Sequence, residues 1–169
     1  MGILQRFGDI MKSNINALLD KCEDPAKMVD QTLLDLRKDL ADVKKETASV
    51  MANEKNAKRK LDENEADIKK YTTAAQNALK SGNEDDAKTL IARKQQLEET
   101  KVSLQSTYDM AHANAEKMRQ MHDKLTNDIE ELETRKDAIK GKVATAKAQA
   151  HMNKMTSGVN TDASLAAFD

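Results

Sequence analysis

Residues 25–80 read PAKMVDQTLLDLRKDLADVKKETASVMANEKNAKRKLDENEADIKKYTTAAQNALK and contain one proline, at the first position. Alternating steps of four and three residues from Val29 to Ala78 meet fifteen positions, of which twelve are apolar. Apolar residues make up only 38% of the whole chain, so this enrichment is not a matter of composition. A seven-residue repeat places a narrow apolar seam along one side of a helix that packs against a partner helix. The stretch therefore predicts one long coiled-coil helix.

A second helix follows after a short turn. Ser-Gly-Asn at 81–83 ends the first repeat, and Gly82 is suited to the left-handed conformation that closes a helix. Residues 87–153 carry a second seven-residue repeat, in which fifteen of twenty positions are apolar. Because a connection this short makes the two helices antiparallel neighbours, the sequence predicts a helical hairpin.

The two repeats stay in register when they are folded back on each other. Leu36 then faces Ile129, and apolar residues meet along most of the seam. Asn64 faces Lys101 in one of the few polar layers, which we expect either to fix the register or to remain solvated.

The fold class is therefore predicted as all-α: an elongated antiparallel coiled-coil hairpin with an N-terminal amphipathic helix and the start of a further C-terminal helix. We assign residues 1–23 to the amphipathic helix and 24–155 to the hairpin. Residues 156–169 are expected to form a linker and the start of a helix that the end of the chain truncates. Four aromatic residues, no Trp and a single proline exclude sandwiches, barrels and doubly wound folds.

The N-terminal segment, residues 2–22, has a broader apolar face than a coiled-coil seam. Asn14 is the exception inside this face. An exposed apolar half-cylinder is typical of a helix that lies in the plane of a membrane surface. The alternative is packing of the segment on the chain's own hairpin, and the two arrangements are compatible as open and closed states. The residues expected to contact lipid are Ile3, Leu4, Arg6, Phe7, Ile10, Met11, Lys12 and Leu18.

The sequence shows no pattern typical of a catalytic or metal site. The five glycines are isolated, which argues against a phosphate-binding loop. His112, His122 and His151 lack the spacing of zinc ligands, and His122 falls on the seam, where we expect a packed core residue. We therefore expect no enzyme activity, no metal and no cofactor.

Charge and cysteine content bear on partners and location. The net charge is −1, and no aromatic residues are interleaved with the lysines, so no nucleic acid is expected as a partner. Cys22 is the only cysteine, which fits a reducing compartment. Without a secretory signal or a long apolar run, the chain is predicted to be cytoplasmic.

The opening MGILQRFGDIMKSNINALLDKCEDPAKMVDQ and the turn region SGNEDDAKTLIARKQQLEE resemble the family of phage shock protein A and the vesicle-inducing protein in plastids, bacterial relatives of ESCRT-III. The resemblance covers the whole chain. It implies a membrane-binding first helix, anionic lipids as partners, and polymerisation into rings or helical rods. The implied function is a peripheral scaffold on the inner face of the cytoplasmic membrane that supports or remodels it in envelope stress. The alternative is a coiled-coil regulatory module that sequesters a partner protein, since some members restrain a transcriptional activator.

Four lysines are candidates for assembly. By resemblance, Lys44 occupies the place of a basic residue that the family uses between subunits, although its acidic counterpart is not matched clearly. Residues 138–155 contain four lysines and no acidic residue. From that segment we expect Lys140, Lys142 and Lys147 to meet an acidic neighbouring subunit or lipid headgroups, with plain solvation as the third alternative.

Overall fold

The chain is all-α in a computed structural model that describes the backbone of residues 2–168 and the side chains of residues 2–156. The described backbone contains no strand. Its elements, in chain order, are a 3₁₀ turn (Ile3–Arg6), α1 (Phe7–Lys12), α2 (Ile15–Asp20), α3 (Pro25–Lys80) and α4 (Glu84–Phe168). The predicted all-α class and the two long helices joined by a short turn are confirmed.

Helix α3 begins at Pro25, the residue that the sequence indicates. Asp24 precedes it, and the backbone N–H of Lys27 donates to Asp24 Oδ1 at 3.4 Å. Backbone N–H groups in the first turn of a helix have no carbonyl partner within that helix. Proline, which lacks an N–H, is therefore tolerated at this first position.

The turn between α3 and α4 is closed by Gly82, whose φ is +76°. The backbone N–H of Asn83 donates to the carbonyl of Ala78 at 2.8 Å, and that of Gly82 donates to the carbonyl of Leu79 at 3.1 Å. These bonds form a helix C-cap in which a residue without Cβ is strongly preferred. The predicted left-handed glycine is therefore confirmed.

We expect Gly82→Ala to lower the free energy of unfolding by about 1 kcal/mol, because the left-handed conformation is strained for alanine. Gly141→Ala is the matched control, since Gly141 lies within α4 with open space around its Cβ position. That change should cost nothing, because alanine favours a helix interior. Urea denaturation followed by circular dichroism compares the two, and equal losses of stability would contradict the assignment of the cap.

The chain forms two compact units. The first combines the residues up to Met11 with Ala41–Asp123, and the second combines Lys12–Leu40 with the residues from Lys124 onward. Both α3 and α4 therefore contribute to each unit.

In the first unit, a buried amide marks the register of the two helices. Asn64 is only 6% exposed, and its Nδ2 donates to the carbonyl of Leu97 at 3.1 Å. Lys101 reaches Glu65 instead, with 3.6 Å between Nζ and Oε1. Asn64 thus bonds across the layer through its Nδ2 alone, while Lys101 and Glu65 remain partly solvated. The bond between the helices favours one alignment of them.

The seam in the later part of the first unit differs from the prediction at one position. His122 is exposed, with its Nδ1 3.3 Å from Asp123 Oδ1, while Met121 is fully buried. A helix repeats every 3.6 residues, so its seam can advance by three residues, as it does from Met118 to Met121. The interpretation of His122 as a packed core residue is therefore wrong.

The second unit has a continuous apolar core. Leu36 packs against this core, as the predicted pairing with Ile129 requires. Its buried members come from α2, α3 and α4, and they are Ile15, Leu19, Val29, Leu33, Ile129 and Leu132.

The last part of α4 differs from the predicted linker. The helix continues through residues 156–158 and ends at Phe168, so the backbone shows no break there. The side chains of residues 157–169 lie outside the described part of the chain, and the amphipathic face expected of a further helix stays a prediction. All side chains from Gly141 to Thr156 are exposed.

Candidate functional site

The N-terminal segment does not form one helix over residues 2–22. It is interrupted between α1 and α2, where Asn14 has an extended backbone and its Oδ1 accepts a hydrogen bond from the N–H of Ala17 at 3.1 Å. Asparagine competes in this way with a continuous helix, because its side chain caps a new one. The residue that interrupts the apolar face in the sequence is thus the residue that breaks the helix.

The first part of the segment packs within the first unit. Ile3 and Ile10 are only 3% and 5% exposed. Leu4 lines a groove together with Val50 of α3 and Ala111 of α4. The apolar face of this part is therefore turned toward the two long helices.

Phe7 lies beside a cation of α4. It is partly buried, and Lys117 Nζ is 5.5 Å from the centroid of its ring. A lysine at this distance interacts favourably with the face of an aromatic ring.

The second part of the segment packs within the second unit. Ile15 and Leu19 of α2 belong to its buried core, together with Val29 and Leu33 of α3. Leu18, on the other side of α2, remains 44% exposed. The packing of the segment on its own chain, the alternative kept open by the sequence, is what the structure contains.

Two cations of α4 hold this second part through polar contacts. Lys124 Nζ donates to the carbonyl of Ser13 at 3.0 Å. Arg135 donates to Asn16 Oδ1 and lies 3.8 Å from Asp20 Oδ1. Sequence reasoning missed both cations, because a lysine and an arginine on a helix surface carry no signal that distinguishes them from solvated neighbours.

The residues expected to contact lipid therefore differ in accessibility. Two are buried, Leu4, Phe7 and Met11 are partly buried, and Arg6, Lys12 and Leu18 are exposed. Their apolar members could meet a lipid surface together only after the segment leaves the hairpin.

The expected assembly lysines are all exposed. Lys44 lies on α3 of the first unit, while Lys140, Lys142 and Lys147 follow one another on α4 of the second. Lys140 Nζ is 3.3 Å from Asp30 Oδ1, and Lys136 Nζ is at the same distance from that oxygen. The hydrogen bond from Lys140 lowers the pKa of Asp30, and the hydrogen bond from Lys136 lowers it further by a smaller amount.

Metal-binding groups are absent from the described residues. Their His, Cys, Asp and Glu side chains form no group of three or more that could hold a metal ion. None of the helices in the described part of the chain has the length and apolar character needed to span a bilayer.

Comparison with known proteins gives a match over nearly the whole chain. The model of the PspA/IM30 family matches residues 2–169. The Phage shock protein A homolog of Bacillus subtilis is 52% identical over 169 residues, covering 99% of this chain and 74% of that protein. The Membrane-associated protein Vipp1 of Nostoc punctiforme is 31% identical and that of Synechocystis 30%, each over the whole of this chain. The chain spans 66% and 63% of the length of these two relatives.

Proposed function

Because the chain belongs to the PspA/IM30 family, we propose that it is a peripheral membrane protein that assembles with copies of itself and supports the membrane under envelope stress. Membrane association is named for its Vipp1 relatives. We place its action on the inner face of the cytoplasmic membrane, with remodelling by rings or helical rods of the ESCRT-III type. The observation that carries the proposal is the N-terminal segment, whose apolar face packs on the hairpin in two short pieces.

The arrangement in the structure is a closed state in this proposal. Transfer of four buried residues, Ile3, Ile10, Ile15 and Leu19, to an acyl boundary preserves most of their burial. Each contributes about 1.5–3 kcal/mol when fully buried, whether the surroundings are protein or lipid. The exchange is therefore close to balanced, and modest polar contacts such as those of Arg135 decide which state is populated.

In the open state, the segment forms a longer amphipathic helix on an anionic membrane surface. The polar side of the segment offers Arg6 and Lys12 to lipid headgroups, and the apolar side enters the boundary of the acyl chains. One copy binds weakly, because the few apolar side chains must offset the ordering of the segment. Assembly of many copies raises the apparent affinity through multivalency.

The proposal is tested by Asn14→Leu in co-flotation with vesicles that contain anionic lipid. The change removes the α2 cap, worth about 1 kcal/mol to the closed state, and it completes the apolar face. Both effects favour the open state, so we expect vesicle binding to rise by about tenfold.

Asn14→Ala is the control, because it removes the cap without adding a large apolar side chain. It should raise binding less than Asn14→Leu does. Failure of the unaltered chain to float with anionic vesicles, or weaker binding by Asn14→Leu, would overturn the proposed membrane contact.

The second candidate function is sequestration of a protein partner by the hairpin. It is favoured by two apolar side chains on the outer surface of α4, Val102 and Met110, which are 73% and 67% exposed. They line one shallow groove, and a groove of this kind suits a partner helix. Val102→Asp should remove such binding and leave vesicle flotation unchanged, whereas Phe7→Glu should do the reverse.

A further inference from the structure

A row of lysines follows one face of α4. Lys140, Lys147 and Lys154 are seven residues apart, and two turns of an α-helix bring such residues back to nearly the same side. Lys140 binds Asp30 of α3. Lys147 and Lys154 are exposed, and the structure gives them no partner among the side chains it describes. Beyond Lys140, the same face of α4 thus carries two lysines that have no partner among the described side chains.

A matching pair of carboxylates lies earlier on the same helix. Glu130 and Asp137 are also seven residues apart and exposed, and the structure shows no hydrogen bond or ion pair from their carboxylates to another described side chain. Each pair spans about 10 Å at a rise of 1.5 Å per residue. The spacing and the signs of charge are therefore complementary.

We propose that Lys147 and Lys154 of one copy bind Glu130 and Asp137 of a second copy. In this contact Lys147 binds Glu130 and Lys154 binds Asp137, so that the two α4 helices run parallel, displaced by seventeen residues or about 26 Å. This inference rests on the self-association in the proposed function and names the surfaces that carry it.

The parallel arrangement leads to an open array rather than to a closed pair. The lysines and the carboxylates are seventeen residues apart on the same helix. Because each residue advances the helix by about 100°, the lysine face and the carboxylate face lie about 100° apart around its axis. Different faces then meet at each contact, so the contact is heterologous. A heterologous contact without closing rotation repeats from copy to copy.

A second copy fits this face better than a lipid surface does. The preceding lysines, Lys136 and Lys140, both bind a carboxylate on a neighbouring helix. Between the free lysines, Ala150 and His151 lie near the same face, and neither offers the large apolar side chain that anchors an interfacial helix.

Charge reversal tests the contact in the 169-residue chain. We expect Lys147→Glu with Lys154→Glu to raise the concentration needed for assembly at least fivefold, as measured by sedimentation velocity. Glu130→Lys with Asp137→Lys should have the same effect, because each double change sets like charges opposite each other. A chain with all four reversals should assemble like the unaltered one, and high salt should weaken both.

Lys70→Glu with Lys88→Glu is the matched control, since it changes the net charge equally, lies at exposed positions near the turn between α3 and α4, and leaves the lysine row intact. Circular dichroism checks that every variant keeps its helices. The inference is overturned if the double reversals assemble normally, if the fourfold variant is not restored, or if the control is equally impaired.

Cross-linking tests the parallel displacement. Glu130 and Lys147 face each other in the parallel arrangement, whereas an antiparallel arrangement sets Lys147 opposite Asp137. Glu130→Cys in one copy and Lys147→Cys in another should therefore form a disulfide in a Cys22→Ser background, because the pair of Lys154 and Asp137 is left intact. Neither variant should cross-link with itself. Absence of the mixed product while assembly persists would overturn the parallel arrangement.

Assembly and vesicle flotation, measured together, separate failure of the lysine–carboxylate contact from failure of the proposed function. If the unaltered chain assembles but the fourfold reversal does not restore the doubles, only the lysine–carboxylate contact is wrong. If the unaltered chain stays monomeric, the proposed self-association is wrong as well. If the lysine reversals reduce flotation without changing assembly, the row contacts lipid and the second-copy contact is overturned.

Discussion

Phe7→Glu is expected to lower the affinity for anionic vesicles by at least about tenfold while the helix content stays unchanged. Phe7 is only partly buried in the closed state, so its ring gains burial when it enters the acyl boundary. Full burial of a phenylalanine contributes about 1.5–3 kcal/mol, and loss of about half of this corresponds to roughly tenfold in affinity. The charged replacement also opposes entry into the acyl boundary. In the closed state, the new carboxylate lies near Lys117, whose Nζ is 5.5 Å from the present ring centroid. Both effects therefore favour the closed state.

Phe7→Leu is the matched control for this variant. It keeps an apolar side chain at the same position, so its vesicle binding should stay within a few-fold of that of the unaltered chain. Equal flotation of Phe7→Glu and Phe7→Leu would show that residue 7 does not contact lipid. Circular dichroism of both variants excludes loss of the hairpin as the cause.

Leu33→Ala is expected to lower the free energy of unfolding by about 2–5 kcal/mol. Leu33 is 2% exposed in the core of the second unit, and its truncation removes buried apolar surface and leaves a cavity. The same core contains Ile15 and Leu19 of α2, so the variant should also loosen the N-terminal segment. Urea denaturation measures the loss of stability.

Leu34→Ala provides an adjacent control with the same chemistry. Leu34 is 64% exposed, so its truncation removes little buried surface and should change stability by less than about 0.5 kcal/mol. A similar loss for both variants would mean that the apolar seam is not where the structure places it.

The long helices are predictable from the sequence because their signals are local and repeated. Pro25 follows a capping Asp24, and Gly82 interrupts two repeats that keep the same register over many turns. Each signal acts within one or two turns of a helix, so no knowledge of distant contacts is needed. The existence and ends of α3, together with the start of α4, follow from these signals.

The arrangement of the N-terminal segment is not predictable in the same way. A helical wheel treats residues 2–22 as one continuous helix, whereas the side chain of Asn14 supplies an alternative bond to the backbone. The burial of Ile3 and Ile10 depends on α3 and α4 residues far along the chain. The wheel identifies an apolar face, but it does not distinguish a lipid surface from the protein's own helices.

The wrong assignment of His122 to the buried seam of α4 has a related cause. A strict seven-residue repeat assigns the seam to His122, but burial of Met121 requires only a step of three residues in place of four. Helices accommodate either step, and the larger apolar side chain gains more from burial. The choice between neighbours is made by packing, which the repeat alone does not contain.

The turn at Gly82 also suggests the order in which the molecule folds. Contacts grow more distant in sequence away from the turn: Asn64 and Leu97 are 33 residues apart, and Asn16 and Arg135 are 119 apart. Short loops close at lower entropic cost, so pairing spreads most readily from the turn outward, as in a zipper. Docking of the N-terminal segment closes the longest loops and comes last. The same segment is then the first to detach, and the pairing of α3 with α4 that formed earlier, outward from Gly82, stays in place.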